Sequence, residues 1–167
     1  MGDLTEPALH LRHLCDELKR HGQCAPHDGA RDALESALLS KWEGVRVAAV
    51  QALCAWGDEA SVRAVQSTLS GLAGKPHRWA AVGAMAQALF PHLTDDDQDW
   101  AIRLYFLESH PDNRFVLQIL FEAFEPRQLL VRLKLEAARS GGARVATDLQ
   151  QAVARAERRI SVTRKEH

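Results

Sequence analysis

One short segment of this chain is written twice and echoed a third time. Arg46-Val47-Ala48-Ala49-Val50-Gln51-Ala52-Leu53 aligns with Arg78-Trp79-Ala80-Ala81-Val82-Gly83-Ala84-Met85, 32 residues later. A weaker copy begins at Arg114-Phe115-Val116-Leu117, a further 36 residues on. Each copy sits early in a helical stretch that another helical stretch precedes. A period in the thirties with two helices per unit predicts helical hairpins stacked on one another, a short α-solenoid. An all-α chain with one continuous core over residues 1–160 follows, with 161–167 as a frayed basic tail.

Punctuation agrees with that period. No stretch alternates at period two, and Pro and Gly cut the chain into helix-sized pieces. These are expected at about Thr5–Arg20, Asp28–Ser40, Glu43–Gly57, Asp58–Gly71, Lys75–Pro91, Thr94–Ser109, Pro111–Phe124, Pro126–Ser140 and Ala143–Ile160. The stretch 44–56 is apolar almost all round, with only Arg46 and Gln51 polar, and 76–90 is similar. Helices of that kind are buried between neighbours, as the inner helices of a solenoid are. The stretch 29–40 is amphipathic: Ala30, Ala33, Leu34, Ala37 and Leu38 form the buried side, while Arg31, Asp32 and Glu35 face water. In 111–125 the polar residues Arg114, Gln118, Glu122 and Glu125 are spaced four, four and three apart, which puts them on one helical face.

The segment VRVAAVQALCAWGDEASVRAVQSTL resembles a HEAT-like repeat of the bacterial type. It has a Val-Arg start, a small-residue pair, an Ala-Leu, a Gly-Asp turn and the next outer helix. The resemblance covers about residues 28–90 and implies about three HEAT-like hairpins with flanking N- and C-terminal helices. Of the turns Lys41-Trp42-Glu43-Gly44, Gly74-Lys75-Pro76 and Pro111-Asp112-Asn113, only the last keeps the Asp that the family places there. Members are mostly interaction scaffolds, with a few DNA-binding and enzymatic ones. The resemblance therefore implies a binding surface more than a reaction.

Composition narrows the function classes. Lys+Arg number 21 and Asp+Glu 22, and no apolar run approaches the roughly 18 residues of a membrane span. The N-terminus lacks a basic stretch followed by an apolar one, and three cysteines are an odd number, so a reducing cytoplasm is the expected compartment and no membrane partner is expected. The charge is divided. Residues 1–125 hold 11 Lys+Arg and 18 Asp+Glu, whereas 126–167 hold 10 and 4. Either the two parts pair with each other, or the basic end meets an anionic partner.

Several constellations have two readings each. Arg46, Arg78 and Arg114 form either a ridge for carboxylates or other anions, or a structural ladder satisfying neighbouring carbonyls and acids. His10, His13, Cys15, His21, Cys24 and His27 are potential ligands, but their spacing matches no standard zinc finger, so no metal is expected. Thr94 followed by Asp95, Asp96 and Asp97 reads as a helix start stabilised by acids. Trp42, Trp56, Trp79 and Trp100 read as packing residues, with Trp42 the one expected in solvent. HEAT-like DNA glycosylases set an acid beside aromatic residues, yet no acid accompanies Trp79 on its helix. Arg144, Arg155, Arg158, Arg159 and Lys165 surround the helical stripe Val145, Leu149, Ala152, Val153, Ala156 and Ile160. They belong to a solvated capping helix or to a phosphate-contacting surface. There is no Walker loop, dinucleotide fingerprint, zincin pair or nucleophile elbow, and no cofactor is expected.

The expected function is a non-enzymatic module that holds a protein or peptide on the inner helix face. Arg46, Arg78, Arg114, Gln118 and Glu122 are the expected contacts there, with Trp42 at the rim. The alternative is nucleic-acid binding through the same ridge and the basic end, with a DNA-repair-type hydrolase a lower option.

Overall fold

A computed structural model describes residues 6–75, 78–140 and 146–163. Among them are nine α-helices and no strand: α1 (Glu6–Gly22), α2 (Asp28–Leu38), α3 (Glu43–Trp56), α4 (Glu59–Leu72), α5 (Trp79–Leu89), α6 (Gln98–Leu107), α7 (Pro111–Leu117), α8 (Pro126–Ser140) and α9 (Ala146–Thr163). Short 3₁₀ segments follow α5 (Phe90–His92), precede α6 (Asp95–Asp97) and continue α7 (Gln118–Ala123). Thr5, Pro76, His77, Arg144, Val145 and Lys165 lie outside the described residues.

Local chemistry sets the boundaries. Gly57 ends α3 at φ 67°, a left-handed conformation that a residue with a Cβ resists. The next residue, Asp58, caps α4 by accepting from the Ser61 N–H at 3.1 Å. His27 caps α2 through Nδ1, which accepts from the Ala30 N–H at 3.1 Å. Thr94 and Asp97 form a capping box at the turn leading into α6. Pro111 and Pro126 open α7 and α8, where a missing N–H costs nothing.

Packing connects alternate helices. α1 lies on α3, α3 on α5, and α5 on α7. α2 and α4 both pack on α3, α4 also on α5, α6 on α8, and α9 on α8 and α7. Small residues allow this closeness: a Cβ on Gly22 would stand 2.7 Å from the Ala52 Cα, so α1 and α3 meet backbone to backbone there. One apolar cluster runs from Leu18 to Ala156 and includes Ala48, Ala49, Leu53, Val65, Met85, Leu89, Tyr105 and Leu133, all buried. Each large side chain in it contributes about 1.5–3 kcal/mol by leaving water.

Polar clamps fix how the helices sit. The Arg31 guanidinium donates to Asp58 and to the Ser61 hydroxyl, both at 3.0 Å, tying α2 to the start of α4. Arg63 and the Gln66 amide of α4 reach Asp97 at 2.8 and 2.9 Å, tying α4 to the start of α6. Arg78 pairs with Glu43 at 2.6 Å, which puts the start of α5 beside the start of α3. Glu108, almost wholly buried, accepts from the Gly74 N–H (3.1 Å), the His110 N–H (2.8 Å) and the Asn113 amide (3.1 Å). Asn113 also donates to the Lys75 carbonyl at 3.1 Å. The start of α7 is therefore held against the segment before α5. The Trp56 indole N–H donates to the carbonyls of His21 and Cys24, both at 3.0 Å, closing the C-terminus of α1.

Several sequence expectations are corrected. Arg31 is half-buried rather than solvated, and Ala33 is exposed rather than packed. α5 starts at Trp79, with Arg78 as its N-cap, so Arg46 lies inside its helix while Arg78 precedes its own. α9 continues through Thr163, into the segment expected to fray. The polar stripe of residues 114–125 does not form. α7 tightens to 3₁₀ geometry after Leu117, and at three residues per turn a step of four no longer returns to the same face. Arg114 and Gln118, four apart, are both buried, and Glu122 and Glu125 depart from that face and are exposed.

Candidate functional site

The exposed parts of α3, α5 and α7 hold few charges. On α3 these are Gly44, Gln51 and Ala55, and on α5 they are Trp79, Ala80 and Gln87. Two large apolar side chains stand out in solvent, Trp79 at 56% and Phe115 at 53% exposure. They occupy the same place in the internal echo, one residue after Arg78 and Arg114. Val47 is the third member of that set and is half-buried. Trp42 is also exposed, next to Glu43, and so close to the Glu43–Arg78 pair. The Lys41 ammonium lies 5.3 Å from the Trp42 ring centroid.

The arginine row divides. The Arg46 side chain is buried and donates to the Ser40 carbonyl, in the turn that precedes its own helix. Arg114 is likewise buried. Arg78 is partly exposed and engaged with Glu43. Guanidinium groups in such positions hold turns and helix ends, and only Arg78 has surface to offer a partner. Glu122 is exposed and pairs with Arg159 at 3.4 Å.

The basic end is partly committed to the fold. Arg159 donates to the carbonyls of Phe121 (3.0 Å), Glu122 (3.2 Å) and Phe124 (3.1 Å), closing the 3₁₀ segment after α7. Arg132 of α8 lies 3.5 Å from Asp99 of α6, so the basic and acidic parts of the chain do pair. Arg158 is exposed. Arg155 is also exposed, with its guanidinium 5.6 Å from the Phe115 ring centroid.

A trough of about 410 Å³ opens where α5, α7 with its 3₁₀ extension, and α9 meet. Gly83, Gln87, Phe115, Val116, Ile119, Glu122 and Arg155 line it. Of these, sequence reasoning singled out Glu122 and Arg155, for different functions, and missed the apolar walls. The available signal was the residue after each echoed arginine, which changes from Val47 to Trp79 to Phe115.

The other constellations resolve into structure. Trp56 is packed through its two carbonyl bonds, and Trp100 donates to the Ser70 hydroxyl at 3.0 Å. Trp79, expected to pack, instead projects outward, because it is the first residue of α5 and precedes its buried stretch. The His21 and His27 rings meet edge to face, 6.3 Å apart. No group of three or more His, Cys, Asp or Glu among the described residues is placed to hold a metal ion. Burial pushes the Cys54 thiol up to about 12, whereas Cys24 is exposed. Desolvation alone would raise Asp58 and Asp97, but hydrogen bonds outweigh it. Arg31 and Ser61 bring Asp58 down to about 2. Thr94, Gln66 and the Arg63 charge hold Asp97 below the usual carboxylate value. The Gln128 and Arg127 backbone N–H groups lower Glu125, which lies just before α8.

Compared with known proteins, the chain matches no family model, no curated protein and no solved structure. No helix among the described residues is long and apolar enough to cross a membrane.

Proposed function

We propose that this chain is a short HEAT-like α-solenoid that acts as a non-enzymatic binding module in the cytoplasm. Its inner layer is α1, α3, α5, α7 and α9, and a protein or peptide partner lies across the exposed side of that layer. The stacked arrangement is supported by the packing of each of these helices on the one two places earlier, and by the clamps that bring the starts of α3, α5 and α7 together. The observation that carries the binding role is the pair Trp79 and Phe115, two large apolar side chains held in water at equivalent positions on a face with few charges. Exposed aromatics of this kind supply much of the energy at protein interfaces. The compartment is supported by three unpaired cysteines.

The test is partner recovery with a Trp79→Ser/Phe115→Ser double variant against an Arg158→Gln control. Loss in the double variant alone supports the inner face, and equal recovery by all three proteins removes it. In the nucleic-acid reading, Arg158→Gln weakens binding and the wild-type complex dissociates steeply with salt. Arg159, with three carbonyl bonds, is poorly placed to contribute to that reading.

A further inference from the structure

We infer that the trough between α5, α7 and α9 selects a peptide segment in which an apolar side chain neighbours a carboxylate. The inference rests on the inner-face reading above and adds a chemical class to it. Phe115, Val116 and Ile119 form apolar walls, Gly83 lets the Val116 side chain pack against its backbone, and Gln87 offers a neutral amide. Two charged groups line the space, and they are not equivalent. Glu122 is paired with Arg159, which is itself anchored to backbone carbonyls. Arg155 pairs with no carboxylate among the described residues, and its guanidinium lies over the Phe115 ring. The charge left to be matched is therefore positive. A guanidinium over an aromatic ring, 5.6 Å from its centroid, is attracted to the ring and keeps N–H groups for a planar acceptor. The ring that positions Arg155 is also the main apolar wall, so one ligand would use both within a few ångströms. A basic segment would leave Arg155 unmatched, and a purely apolar one would bury it without an acceptor.

The experiment uses the full chain and an array of immobilised dodecapeptides with a central Leu, Ile or Phe beside Asp, Asn or Lys. The expected result is retention on the Asp series about tenfold or more above the Asn and Lys series, the size of one charge-assisted hydrogen bond. Arg155→Gln removes that preference, and Phe115→Ala weakens all three series. Titration of the wild type with an Asp peptide moves the backbone amide signals of Gly83 and Gln87. Circular dichroism and melting temperature establish that both variants are folded. Binding that is lost in Trp79→Ser but is indifferent to the charge beside the apolar residue overturns the selectivity and leaves the inner-face reading standing. Preference for the Lys series, an Asp preference retained in Arg155→Gln, or no binding by any series overturns the inference.

Discussion

Arg31 and Arg63 are 32 residues apart, and so are Arg46 and Arg78. The first pair belongs to α2 and α4, the second to α3 and the start of α5. In the first pair each arginine reaches forward to an acid at the start of the next helix but one, Asp58 or Asp97. In the second, Arg46 reaches back to the carbonyl of Ser40 and Arg78 back to Glu43. Equal spacing thus marks equivalent places in a repeat without saying which way a side chain turns. The amphipathic helices carry two acid–arginine clamps, and the apolar ones carry one, Arg78–Glu43. The apolar helices leave their uncharged side exposed.

The largest effect that would sharpen this contrast is at Asp97. Asp97→Ala strands Gln66, Arg63 and the Thr94 cap together, and is expected to cost about 2–4 kcal/mol in chemical denaturation. Arg46→Ala removes one side chain-to-carbonyl bond and its packing, so a smaller loss of about 1–2 kcal/mol is expected. If Arg46 costs more than Asp97, the division between the two clamp types is wrong. Acid unfolding gives a third measure. Asp58 is held at about 2 against an ordinary 3.8, so its contribution is complete above the ordinary value and is lost as pH falls between them. Asp58→Asn keeps a capping acceptor, loses the Arg31 ion pair and should flatten the dependence of stability on pH in that interval. Thiol labelling of the native protein should modify Cys24 quickly and Cys54 only on unfolding, because the reactive thiolate is suppressed by burial. The smallest effect is expected at Trp79, which is mostly in water. Trp79→Ser should change stability by less than about 0.5 kcal/mol while weakening partner binding.

The helices were legible because their boundaries are local chemistry. Asp58, Thr94, Pro111 and Pro126 mark starts, and Gly57 marks an end, through bonds made within a few residues. Burial of α3 was legible too, since a helix with so little polar surface has few alternatives. The candidate site was read less well. Glu122 and Arg155 were singled out for separate functions, and the structure puts them around one trough. Arg46, Arg114 and Gln118 were expected on a contact surface and are buried. Glu122 parts from Gln118 because the geometry changes from α to 3₁₀ after Leu117, which no residue in the segment announces.

From residues alone come the all-helical class, the capped helix starts at Asp58, Thr94, Pro111 and Pro126, and the near-repeat of 32 and 36 residues, because capping and apolar periodicity act over one or two turns. Only the tertiary structure decides that Trp79 and Phe115 stay in water, that Arg46 turns inward to a carbonyl, and that Arg155 comes to rest on Phe115 from a helix some 40 residues along the chain. Those outcomes depend on where distant helices come to lie, and neither propensity nor spacing carries that information.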